Sequence, residues 1–220
     1  MTEFDKLWNY NDPASTEVKF REILTQINPR EKSSDYLQLL TQIARTQSLQ
    51  KRFDEAFISF QQAADALKQI GDLYHWAVVK MNLGSAYFHY EMPQIALLHY
   101  QEAEYQALLN RDVLQLANVC NCLGLDYLKL KQFTEAERYF TKAISLFKKL
   151  ADDEWRLNNM DGLAMVYLAQ GKFIQAQQLL ESAIVALHLI KESASYEYLD
   201  KSLNEHLQQA KSGGDLTLES

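Results

Sequence analysis

The chain has 220 residues, 29 acidic against 22 basic side chains, a net charge of −7 and only two cysteines. That length can bury a sizeable core as a single domain, the acidic balance supplies no basic face for nucleic acid, and two cysteines supply no disulfide framework. With only 7 Gly and 3 Pro, no basic-then-apolar leader at Met1–Asp5 and no run near the ~18 apolar residues of a membrane span, an all-helical, soluble, cytoplasmic protein is expected.

Residues 1–12 read as a short leader carrying Trp8 and Tyr10. Asp12 then stands as an N-cap with Pro13 at the first helical position, and Phe20, Ile23, Leu24 and Ile27 give that helix an apolar face. Asn28-Pro29-Arg30 ends it, and Ser33, Ser34 and Asp35 cap the next helix.

A forty-residue period follows. Leu83, Gly84, Tyr87, Ala96, Tyr100 and Ala103 return as Leu123, Gly124, Tyr127, Ala136, Phe140 and Ala143, then as Leu163, Ala164, Tyr167, Ala176, Leu180 and Ala183. A fainter copy precedes them: Ile43, Ala44, Gln47, Ala56, Phe60 and Ala63. The first three columns lie on one face of a helix, the last three on one face of a second, with breaks at Glu91-Met92-Pro93, Lys131-Gln132-Phe133 and Gly171-Lys172-Phe173. Each copy is therefore a hairpin, helix A then helix B. The hairpins run at about 36–70, 72–110, 112–150 and 152–190 within 36–192. Asp72, Asp112 and Asp152, with Glu192 in the fourth place, suit helix N-termini.

Unbroken alanine columns imply that helix axes approach closely. Phe20 and Ile23 fall on the columns of Phe60 and Ala63, so residues 1–35 end in a lone B helix capping the array. Residues 193–212 read as a lone A helix, with Tyr196, Leu199, Leu203 and Leu207 as its stripe. Gly213-Gly214 should stop it, leaving 213–220 as a disordered tail.

These columns resemble the tetratricopeptide repeat, Leu-Gly-x-x-Tyr, then Ala-x-x-x-Phe, then Ala. The resemblance spans about residues 36–190. The period is 40, where the family has about 34, which is similar to the long-helix branch: kinesin light chains, cell-polarity adaptors and bacterial peptide-sensing Rap-type regulators. The chain departs from the family at the first column (Leu40, Lys80, Cys120, Met160) and at the closing proline (Lys68, Leu108, Lys148, His188). The resemblance implies a right-handed α-α superhelix of about ten helices, four full hairpins with a half-repeat at each end, whose A helices line a concave groove.

Catalytic signatures are missing: no phosphate loop, no His-Glu-x-x-His, no Gly-x-Ser-x-Gly. Cys120 and Cys122 lack a second ligand pair for zinc, and packing explains them better than redox or metal chemistry. The five histidines are scattered, at 75, 89, 99, 188 and 206. A non-enzymatic chain without cofactor or metal is expected.

The implied groove holds Gln38, Val78, Asn118, Asn158 and Tyr198 in one column, and Thr41, Met81, Asn121, Asp161 and Lys201 in the next, with Gln42 and Asn82 beside them and Arg45 further on. Asparagine offers a donor and an acceptor to an extended peptide backbone; alternatively these side chains meet solvent or the neighbouring helix. Ser85, Leu125 and Met165, and Phe88, Leu128 and Leu168, make oilier columns: floor for a partner helix, plain core, or a face for a second copy of the chain. The family's carboxylate clamp maps to Thr41, Arg45, Asn82, Asn118 and Cys122, of which only Asn82 matches, disfavouring a co-chaperone. The expected function is protein or peptide binding, with a curvature-changing, peptide-responsive sensor as the alternative and no membrane partner.

Overall fold

The computed structural model describes residues 4, 7–9, 11–29, 31, 33–70, 73–190 and 196–218. These form ten α-helices: α1 (Pro13–Gln26), α2 (Ser33–Leu49), α3 (Phe53–Ile70), α4 (Leu73–His89), α5 (Pro93–Leu109), α6 (Val113–Lys129), α7 (Phe133–Lys149), α8 (Asp153–Ala169), α9 (Phe173–Leu187) and α10 (Tyr196–Leu218). No strand occurs among the described residues. Pairs α2/α3, α4/α5, α6/α7 and α8/α9 are the four hairpins, and the chain is an all-α tandem array of them.

A conserved joint geometry sets the period. Lys51, Glu91, Arg111, Lys131, Ala151 and Gly171 all have φ between 54° and 71°. At each, two backbone bonds close the preceding helix; Lys131 N donates to Leu128 O at 2.9 Å and Gln132 N to Tyr127 O at 2.8 Å. This is the Schellman arrangement, which satisfies the last carbonyls and lets the next helix begin at once. Most helices have 17 residues, so a joint of three residues returns the chain antiparallel every 20. At the starts, Asp12 Oδ1 accepts from Ser15 N and Asp152 Oδ1 from Trp155 N, both at 3.1 Å. Asp72 and Glu192 lie outside the described residues.

The packing follows the columns. Ala56, Ala96, Ala136, Ala176 and Ala63, Ala103, Ala143, Ala183 are all buried, as are Phe60, Tyr100, Phe140 and Leu180 between them on the same helix faces and Phe20 in that column of α1. Gly84 and Gly124 are there for closeness: a Cβ would stand 2.7 Å from the Tyr100 ring and 2.9 Å from the Phe140 ring. Within a hairpin, Tyr87 stacks on His99 and Tyr127 on Tyr139, with centroids 5.3 and 5.4 Å apart. The faint first copy fills the same two columns with Gln47 and Ser59, hydrogen-bonded at 2.8 Å. It has exchanged a ring stack for a polar pair.

The helices fall into two compact units, Met1–Asp112 with α1–α5 and Val113–Ser220 with α6–α10. Where the sequence suggests a single domain, the division lands at a hairpin junction, because each repeat packs chiefly on its neighbours.

In the first unit α1 packs on α2 through Phe20, Leu39 and Ile43, with Phe4 beside them. Buried Glu17 ties α1 to the α2–α3 joint, accepting from Gln50 Nε2 at 2.8 Å and pairing with Arg52 at 2.7 Å and Arg21 at 2.8 Å. In the second unit the same two columns recur as Glu137 and Lys172, 3.8 Å apart, with the Tyr167 hydroxyl donating to Glu137 at 3.2 Å.

Helix α10 packs on α8 and α9, burying Leu199, Leu203 and Ala210. It runs through the glycine pair to Leu218, past the stop expected at Ser212. Gly213 is buried against the Phe173 ring, where a Cβ would come within 2.3 Å. That glycine makes room for a crossing and does not end the helix.

Candidate peptide-binding faces

In the first unit the A helices α2 and α4 pack side by side. Buried His75 of α4 joins them, its Nε2 lying 3.1 Å from Ser34 Oγ and 3.3 Å from Gln38 Nε2. Thr41 is buried and donates to Leu37 O at 2.8 Å. The Arg45 guanidinium lies over the Trp8 ring, 4.9 Å from its centroid, and Trp8 Nε1 donates to Gln42 Oε1 at 3.1 Å. The leader thus covers part of the face that the sequence leaves open. Asn82 is buried, and Gln38, Arg45 and Met81 are half-buried.

In the second unit α6, α8 and α10 form the A layer. Asn121 is buried and donates from Nδ2 to Asn159 Oδ1 at 2.9 Å; Asn159 in turn donates to Trp155 O at 2.7 Å. Asp161 is buried and uses both oxygens, accepting from Ser202 Oγ at 2.6 Å and from His206 Nδ1 at 2.7 Å. The bond to Asp161 raises the His206 pKa. Asn121 and Asp161 therefore serve helix-to-helix bonding, the alternative reading of these columns. Asn118 and Asn158 stay half-buried, and Leu125, Met165 and Tyr198 are exposed at 37%, 38% and 67%. Asn118, Asn158 and Tyr198 share one column, Leu125 and Met165 another, so α6 and α8 repeat one polar-plus-apolar pair in register.

One buried group was missed. Asp126 is fully buried, neither carboxylate oxygen has a hydrogen-bond partner, and burial raises its pKa to about 7 against the opposing pull of Lys129. In the other hairpins its column holds Thr46, Ala86 and Val166, and in α10 His206, so a carboxylate among the small, uncharged residues of the hairpins was a legible signal. Cys120 is buried at the first column and Cys122 half-buried beside it. Among the described residues no three His, Cys, Asp or Glu side chains group to hold a metal, and no helix is long and apolar enough to cross a membrane.

The tetratricopeptide repeat family pattern matches residues 113–185. No curated protein sequence matches the chain. Among solved structures the fold is similar to BtubC from P. vanneervenii, with 15% identity, TM-score 0.67, and 100% of this chain covering 91% of that one. It is similar to a putative kinesin light chain from Podosopora anserina, with 17% identity, TM-score 0.61, and 84% of this chain covering 97% of that one. Aspartyl phosphate phosphatase F from Bacillus subtilis aligns with 13% identity and TM-score 0.63, 90% of this chain covering 57% of that one. At such identities the likeness speaks for the fold alone. Residues 113–185 match the tetratricopeptide repeat by their sequence, and the remaining hairpins repeat the same columns and joints.

Proposed function

We propose that the chain is a non-enzymatic scaffold that binds a peptide segment of another protein across the A helices of its second unit. The observation that carries this reading is the repeated pair on α6 and α8: half-buried Asn118 with exposed Leu125, then half-buried Asn158 with exposed Met165, while Asn121 and Asp161 between them are buried. A half-buried amide offers a donor and an acceptor to main chain, and an exposed apolar side chain beside it offers a seat for a partner's side chain. Tyr198 of α10 extends the polar column by one more helix. Such a face suits an extended or helical segment with apolar side chains spaced to meet two successive repeats.

The test is selection of peptides from a displayed random library on the full chain, followed by affinity measurement on Leu125→Asp with Met165→Asp. Both side chains are exposed, so the fold should survive. Loss of at least about tenfold in affinity, roughly 1.4 kcal/mol, is expected. Peptides that bind the double variant as tightly as the original chain would place the site elsewhere.

A further inference from the structure

The array begins on half a repeat. Helix α1 holds the columns of a B helix, with Phe20 standing where Phe60 stands in α3, and among the described residues no A helix precedes it. The seat of such a helix can be read from the other A helices. In the second unit α8 meets the A helix before it through Asn159, bonded by Asn121 of α6. Helix α10 meets the one before it through Ser202 and His206, both bonded to Asp161 of α8. On α2 those three columns hold Leu39, Gln42 and Thr46. This edge of α2 is therefore shaped to meet a helix.

Phe4, Leu7 and Trp8 fill part of that seat. Phe4 packs in one cluster with Phe20, Leu39 and Ile43, and Leu7 and Trp8 lie against it. The Trp8 ring stands edge-on to Phe20 at 5.6 Å, while its own face carries Arg45 and its Nε1 donates to Gln42. The three side chains are spaced i, i+3 and i+4, the anchor pattern of a helical segment laid in a groove. The chain is pinned just beyond them. Asn9 N donates to Thr16 Oγ1 at 3.0 Å, and Asn9 O accepts from Asp12 N at 3.1 Å. The residues before Asn9 can therefore leave without undoing the start of α1. Phe20, Leu39 and Ile43 are at most 1% exposed with the segment in place. An empty seat would put them in water, so the segment yields only to another of like chemistry.

We infer that the α1–α2 edge is a binding groove for a short helical segment of a partner protein, with bulky apolar side chains at i, i+3 and i+4, the last a tryptophan. Phe4, Leu7 and Trp8 are its internal, displaceable ligand. A partner competes with a tethered rival whose effective concentration is of about millimolar order, so the groove is held closed to weak partners. The groove lies in the first unit and stands or falls apart from the α6–α8 reading.

The probe is a synthetic peptide of residues 1–9, titrated into the full chain and into full-chain Phe4→Ser with Trp8→Ser. The variant should keep its helical circular dichroism and bind the peptide saturably, at least about tenfold tighter than the unaltered chain. Adding Gln42→Ala and Arg45→Ala to the variant should weaken that binding at least about threefold, whereas adding Leu125→Asp and Met165→Asp should leave it unchanged. A second measurement needs no substitution. Fluorotryptophan labels Trp8, Trp76 and Trp155, and fluorine NMR follows them as unlabelled peptide is added to about millimolar concentration. The Trp8 line should move toward its position in the free labelled peptide, with the other two unmoved; this spectrum decides alone if the variant loses its helices. No saturable binding to a folded variant, equal affinity for both chains, or indifference to the Gln42 and Arg45 substitutions would overturn the proposal. So would a loss of binding on the Leu125 and Met165 substitutions, or a Trp8 line that stays in place.

Discussion

Ala136 and Asp126 show what a column demands of a single residue. Ala136 is completely buried where α6 and α7 meet. Ala136→Leu should overpack that seam and cost about 1–3 kcal/mol, read as a fall in the urea midpoint. Asp126 breaks its column. Its carboxyl titrates near 7 in the folded chain and near 3.9 in the unfolded one. Between those values the folded state holds the extra proton, so stability falls as pH rises from about 4 to 7. His206, held up by Asp161, adds in the same direction: its contribution is present below the unfolded histidine value and is lost as pH rises through the higher folded one. Asp126→Ala, the residue that Ala86 places in that column, should stabilise the chain by about 1–3 kcal/mol at about pH 8 and flatten most of the slope. Urea unfolding at acid and alkaline pH reads both effects; an unchanged slope would mean that the carboxyl is solvated.

At the scale of the element, the joints dominate. Among the described residues, five of the six left-handed positions hold Lys, Glu, Arg, Lys or Ala, and the sixth is Gly171. A side chain there costs about 1 kcal/mol against glycine. Ala151→Gly should therefore raise stability by about 0.5–1 kcal/mol, measured by thermal melting, while Gly171→Ala should lower it by as much. The sequence marks these turns poorly for that reason, since glycine, the usual signal, is mostly missing. The reverse error occurs at Gly213, which looks like a stop and is a helical residue pressed against Phe173. Periodicity located every helix because alanine and ring columns are obligatory wherever two helices share a seam. It located the binding columns less sharply. Neighbouring helix positions differ by about 100°, and only the packed structure shows that Asn121 and Asp161 turn to the next helix while Asn118 and Asn158 stay half-buried and Leu125 exposed. Trp8, which lies across Arg45, sits in a leader with no period to read.

On the scale of the whole molecule, the forty-residue phase makes the four hairpins alike in core and different in surface. The unbroken alanine columns build both units, and the remaining positions vary between copies. The A helices of the second unit repeat Asn118 as Asn158 and place Leu125 and Met165 in one column, while most of their other positions differ. The B helices differ as much outside their alanine columns. The most direct measurement is hydrogen–deuterium exchange on the full chain with and without a library-selected peptide. Slowed exchange is expected in α6 and α8 around 118–125 and 158–165, with the partner-free rates retained in α7 and α9. Protection confined to the B helices, with α6 and α8 unchanged, would contradict an A-helix binding face.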